Sequence, residues 1–187
     1  MSFQYPNFGS NSLPTIFEAF PKRASLMMAL MVDVMSDTEE LSKLDKELIF
    51  TFTSYQNACH FCFESHKAVA QAYGMDQEQF AQIVEDIEAA DIEPRLKTVF
   101  AFVQKLSNSP SKIVESDVEG LSSAGYSEAA VVDIISVCSL ANYMNRFVDG
   151  LGVDITSEQA QQMGAAMLQG DGYDMMRQHV EGLASEA

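Results

Sequence analysis

The sequence predicts an all-α fold, a single-domain helical bundle, and three observations predict it. Apolar residues recur at three- and four-residue spacing in segment after segment, no stretch of useful length alternates as a strand would, and capping-box patterns open several of the periodic segments. The chain has 187 residues, 47% of them hydrophobic, which is ample for one core and too short for two ordinary domains. Within residues 1–187 we expect an irregular N-terminal arm over 1–21, a helical core over 22–153 and a C-terminal helical extension over 154–187.

Pro6, Gly9, Pro14 and Pro21, with scattered aromatics, give the arm its irregular character. From Ala24 to about Asp37, Met27, Met28, Met31, Val34 and Met35 fall at helical spacing, a stripe suited to a core or a subunit interface. Ser42 with Asp45 opens a helix to about Gln56. The next runs to Tyr73 and stops at Gly74, a left-handed C′ candidate. Asp76 with Gln79 opens a helix to about Ala90, and Pro94 suits the first turn of one from Arg95 to about Ser107. Ser116 with Glu119 caps a short helix ended by Gly125. Ser127 then opens the longest apolar segment, whose Val131, Ile134, Leu140, Met144 and Val148 belong in the centre. Thr156 with Gln159 caps a final helical region, broken by Gly170 and Gly172, with a weakly apolar tail that frays or docks.

The net charge of −16 would repel a phosphate backbone or an anionic membrane, so nucleic acid and membrane are excluded as partners. No run of 18 apolar residues occurs, since Val131 to Val148 is interrupted by Asp133, Asn142, Asn145 and Arg146. Two of the three cysteines form a CxxC, a usage that suits a reducing cytoplasm and a cycling dithiol better than a structural disulfide framework.

The chemistry centres on Cys59, Cys62 and His66, at i, i+3 and i+7 on one helical stripe. Thiols three apart have Cβ atoms roughly 5 to 6 Å apart, so a modest adjustment near a helix end allows a disulfide. The turn at Asn57-Ala58 places Cys59 in the first turn, where the helix dipole favours a thiolate and greater exposure would ordinarily make it attack first. If that turn makes a hairpin with the preceding helix, Glu47 lies about 15 Å back from it and His66 about 12 Å beyond. Glu47 would then hold the imidazole directly or through one water, and His66 would exchange a proton with Cys62 one turn earlier.

Glu47 followed by Cys59-x-x-Cys62-x-x-x-His66 resembles the alkylhydroperoxidase D and carboxymuconolactone decarboxylase superfamily. The later Asn142-Tyr143-Met144-Asn145-Arg146-Phe147-Val148-Asp149-Gly150-Leu151-Gly152 is similar to the closing helix of its peroxidase-related branch. The resemblance covers roughly residues 14–153. It implies an all-α homo-oligomer, dimer, trimer or hexamer, that reduces a hydroperoxide and is restored by an external thiol or dithiol. By that likeness Cys62 is peroxidatic, Cys59 resolving, and His66 with Glu47 the proton relay; no metal, haem or flavin cofactor is implied. The peroxidase members carry a histidine immediately before the second cysteine, where this chain has Phe61. Its own histidine, His60, is one position earlier, turned about 100° around the axis. The superfamily's decarboxylases do not depend on this CxxC, so its presence argues against that activity.

Other readings are a non-catalytic redox sensor or binding protein that keeps the dithiol, and a Cys/His metal-binding protein, for which only His60 or His179 adds an imidazole. Cys138, in the most apolar helix, reads as a buried inert thiol. Tyr55 reads as packing or as a donor to bound peroxide. Asn142, Asn145 and Arg146 read as helix-packing or interface groups, and His179 as solvated.

Overall fold

The computed structural model describes residues 11–169 and 172–186, all of it helices and connections. The helices are α1 (Leu13–Ala19), α2 (Pro21–Met35), α3 (Lys43–Gln56), α4 (His60–Ala72), α5 (Gln77–Glu85), α6 (Pro94–Asn108), α7 (Glu115–Ser123), α8 (Glu128–Gly150), α9 (Ser157–Gln169) and α10 (Tyr173–Glu186). Among these residues no single helix is long and apolar enough to cross a membrane.

Sequence boundaries and structure differ at four places, each for a local reason. The irregular arm contains α1, because Ser12 accepts the Thr15 N–H as N-cap and Pro14 sits at a first-turn position that lacks nothing by having no N–H. Pro21 likewise starts α2 three residues before the expected Ala24. Residues 1–10, the rest of that arm, lie outside the described residues. The helix expected to reach Ala90 ends at Glu85, where the Asp86 carboxylate takes the backbone N–H groups of Glu88 and Ala89 at 2.9 and 3.3 Å. The cap of α7 is not Ser116. The helix starts at Glu115, and Asp117 accepts the Val114 N–H at 2.7 Å.

Helix α3 shares the centre with α8. Ile49 to Ser54 are buried without a break, and the hydroxyls of Thr51 and Thr53 are satisfied inside the helix by Glu47 O and Ile49 O at 2.7 and 2.8 Å. The fully buried Lys46 ammonium donates to Val34 O at 3.0 Å in the last turn of α2, and Asp133 of α8 stands 3.8 Å away. A cation there complements the carbonyl end of α2 and ties three helices together. Helix α4 folds back on α3, α9 lies along α4, and α10 lies along α2. The tail therefore docks. Its helix, with α8, covers the methionine stripe, and Met27, Met28, Met31 and Met35 are all buried within the one chain rather than left for a subunit interface.

Candidate active site

Helices α3 and α4 are joined by three residues, with Ala58 in the left-handed region at φ 54°. Cys59 follows as the N-cap of α4; its N–H donates to Ser54 O and its carbonyl accepts from Phe63 N–H, both at 3.0 Å. Cys62 lies one turn on. Both thiols are free and both are buried, so Cys59 is not the more exposed of the two. Nor does the dipole lower it. The adjacent Cys62 sulfur, followed by burial, pushes the Cys59 thiol far above its usual range, so Cys59 keeps its proton.

The hairpin brings Glu47 directly to His66. Glu47 Oε2 is 2.8 Å from His66 Nδ1, and the carboxylate and imidazole are 1% and 8% exposed. A carboxylate on Nδ1 holds the proton there and leaves Nε2 as the basic nitrogen. The imidazole stacks on Phe50 at 3.5 Å between centroids with 16° between planes, which fixes the ring. A third member comes from the far end of the chain. Tyr173, first residue of α10, donates its hydroxyl to Glu47 Oε1 at 2.7 Å, and the same oxygen is 3.2 Å from His66 Nδ1. Burial, then the Glu47 charge, holds this phenol well above its usual value near 10, so it stays a donor. Both carboxylate oxygens are thus satisfied in a buried setting.

On the other side of His66 is a chamber of about 50 Å³, lined by Cys62, Ser65, His66 and Tyr173 among methionine and phenylalanine side chains, Phe61 included. It exceeds the roughly 10–15 Å³ that one water needs. Ser65, one turn after Cys62 and 2% exposed, is among the lining residues, and its hydroxyl is buried without a hydrogen-bond partner. Behind Glu47, a separate polar recess of about 40 Å³ is bounded by Lys43, Tyr73, Tyr173 and Asp174.

His60 is at the surface, its Nδ1 2.9 Å from Asp154 Oδ1. Tyr55 is 44% exposed, packs on Phe63 at 5.9 Å and takes no part in the chamber wall. Asn145 is buried beside Cys59: its backbone oxygen is 3.9 Å from Cys59 Sγ, its amide donates to Ser54 Oγ, and its side-chain oxygen accepts from Asn57 at 2.8 Å. Asn142 also accepts from Asn57 and from Arg146, so these residues clamp the α3–α4 turn to α8. Cys138 is buried, its thiol pushed up by desolvation, and His179 is exposed. Among the described residues no three His, Cys, Asp or Glu side chains are grouped to share a metal ion. Sequence reasoning missed Tyr173, Phe50 and Ser65; only Ser65 carried a local signal, the i+3 spacing that puts it on the cysteine stripe.

Residues 21–105 match the family model described as carboxymuconolactone decarboxylase family. That segment is similar to the family. The matched segment holds Glu47, Cys59, Cys62 and His66, and it ends before α9 and α10, so Tyr173 and the outer chamber wall lie beyond it. A Bacillus subtilis (strain 168) relative, uncharacterized protein YdfG, is 24% identical over 127 residues, 67% of this chain and 86% of that protein. The fold is similar to that of the alkylhydroperoxidase AhpD core of an uncharacterized peroxidase-related protein from Ralstonia eutropha JMP134. That likeness has a TM-score of 0.72 and 24% identity over 80% of this chain and 78% of that one. It is also similar to an uncharacterized peroxidase-related protein from Silicibacter sp. TM1040, with a TM-score of 0.66 and 26% identity over 72% and 71% of the two chains.

Proposed function

We propose that this protein belongs with the carboxymuconolactone decarboxylase family and is a dithiol peroxidase in which Cys62 reduces a hydroperoxide and Cys59 resolves the product. The observation that carries the reading is the buried His66, paired with Glu47, on the wall of a chamber that Cys62 also lines. The likeness to peroxidase-related proteins supports the same class.

His66, oriented by Glu47, takes the Cys62 proton at Nε2, and the thiolate attacks the distal peroxide oxygen. The S–O bond forms as the O–O bond breaks, and the leaving alkoxide departs as the alcohol with the proton returned by His66. Cys62 is then a sulfenic acid. Cys59 loses its proton and attacks the Cys62 sulfur, forming the disulfide and releasing water. An external thiol or dithiol restores both thiols by exchange. The raised Cys59 thiol suits this order, because it stays protonated until Cys62 has been oxidised. The same reading takes the chain as a homo-oligomer. With the methionine stripe covered, the outer face of α2 is left for contact, where Leu26 and Leu30, one turn apart, are 74% and 51% exposed.

The test is trapping with dimedone after one equivalent of peroxide. Cys59→Ser accumulates an adduct on Cys62, Cys62→Ser gives little, and Glu47→Gln in the Cys59→Ser background slows trapping about tenfold, below the roughly 10²- to 10⁴-fold of a proton-transfer group itself. Equal trapping in both cysteine variants, or trapping mainly on Cys59, refutes the assignment.

A further inference from the structure

Six of the chain's eleven methionines are among the residues that line the chamber of about 50 Å³ beside Cys62 and His66. Two of them, Met163 and Met167, stand one turn apart on α9, as Cys62 and His66 do on α4. The two helices are held at close range: a Cβ on Gly164 would fall 2.6 Å from the carbonyl oxygen of Ala68, two residues after His66. Nδ1 of His66 is taken by Glu47 at 2.8 Å, which leaves Nε2 for a ligand. A carboxylate behind an imidazole is the arrangement that fixes the tautomer and orientation of a metal-binding histidine. Cys59 is not in the lining; its sulfur lies 3.9 Å from Asn145 O instead.

We propose that Cys62 Sγ, His66 Nε2 and the Met163 and Met167 thioethers form a site for Cu(I), a soft monovalent cation. Zinc takes thiolate, imidazole and carboxylate, and of these the chamber wall offers only Cys62 and His66. Thioether sulfur is a ligand for Cu(I), and methionine supplies it from an unbranched side chain that adapts to the ion. The ion takes the place of the Cys62 proton, which leaves to solvent, so no extra charge is buried among apolar side chains. Nothing in this requires the peroxidase reading. Both use the Cys62 sulfur, however, so a bound ion would close that thiol to peroxide.

Anaerobic titration of the full-length reduced protein with Cu(I), in competition with the chromophoric chelator bathocuproine disulfonate, tests the site. Cys59→Ser should bind the ion almost as the parent does, and Cys62→Ser should lose it. Met163→Leu with Met167→Leu, swaps of similar volume, should weaken binding about tenfold with little change in Tm. Glu47→Gln should weaken it by roughly 10- to 100-fold, as expected behind a ligating imidazole. X-ray absorption at the copper edge of the loaded parent protein should show imidazole nitrogen as well as sulfur around the ion. Sulfur alone in that spectrum overturns the proposal, as do loss of binding in a folded Cys59→Ser, an affinity that the two leucines leave unchanged, or Zn(II) bound by Cys59→Ser as tightly as Cu(I). Dimedone trapping is run without metal, so the two readings fail separately. Trapping on Cys62 with no Cu(I) bound defeats this one, whereas Cu(I) bound without trapping defeats the peroxidase.

Discussion

Tyr173→Phe isolates one hydroxyl at the site. The ring and its packing are kept, while the bonds to Glu47 Oε1 at 2.7 Å and to His66 Nδ1 at 3.2 Å are lost. Glu47 is 1% exposed, so Oε1 becomes a carboxylate oxygen with no donor in a buried place. A hydrogen bond to a charged group contributes about 1.5–3 kcal/mol. The recess of about 40 Å³ next to Glu47 and Tyr173 admits a water that offsets part of this, which puts the expected loss near 1.5–2 kcal/mol. For a chain of this size that is a fall in Tm of about 3–8 °C. Urea unfolding followed by far-UV circular dichroism measures it, with an unchanged slope showing that the unfolded state is the same. The partner should matter too. In a Glu47→Gln background the loss should shrink by about 1 kcal/mol, as expected of groups in one hydrogen-bond network. A loss under about 0.5 kcal/mol, or the same loss in both backgrounds, refutes the claim that this phenol completes the Glu47–His66 pair.

Gly164→Ala should cost about 1–3 kcal/mol by overpacking, because its Cβ would fall 2.6 Å from Ala68 O and 2.8 Å from Ala68 C, backbone atoms that cannot swing aside; thermal unfolding reads it. Alkaline titration of stability should be asymmetric. Cys59 and Tyr173 both have raised pKa values, so the folded chain holds protons that the unfolded chain releases above about pH 8.5 and 10. Their contribution is full below those values and is lost as pH rises through the folded ones, a decline that Cys59→Ser and Tyr173→Phe should flatten in unfolding measured from pH 7 to 11. Light scattering at micromolar concentration should give a multiple of the chain mass, reduced by Leu26→Glu with Leu30→Glu; a monomeric parent protein refutes the assembly.

What the sequence made legible was whatever a short segment decides by itself. Ser42 with Asp45 and Thr156 with Gln159 cap as their spacing says, the latter by bonds of 2.9 and 3.2 Å. The rise along two helices was enough to bring Glu47 towards His66, because only three residues join them and little else is free to vary. Proline was misread where it stands at a helix start rather than inside one, at Pro14 and Pro21. Asp86 stopped a helix that periodicity would have continued, since its side chain offers the backbone a competing partner. Tyr173 was out of reach for a different reason. It is 107 residues from His66, and nothing in its own neighbourhood records that α10 lies along α2 with this ring turned inward. The methionine stripe left core and subunit interface both open for the same reason, since a buried apolar face looks alike whether its cover is another subunit or the chain's own tail.

The residues of the proposed sulfur and proton chemistry sit within the segment matched by the family model, but their surroundings come from outside it. Leu13 and Phe17 of α1, Met163 and Met167 of α9, and Tyr173 and Met176 of α10 line the chamber, and without them Cys62 and His66 would face water. Water there would compete for His66 and would screen its pairing with Glu47, whereas a dry wall leaves the proton few places to go but the groups already aligned. In the proposed reaction the wall must nevertheless open to admit a peroxide. Flexible methionines permit that, while one rigid contact keeps the opening local: Gly164, next to Met163, lets α9 press directly on the backbone of Ala68 in α4. The helix that carries Cys62, Ser65 and His66 therefore also sets where Met163 and Met167 stand. Any shift of α9 along or away from α4 must disturb that close approach first, so Gly164 should keep the position of Met163 and Met167 against Cys62 and His66 fixed.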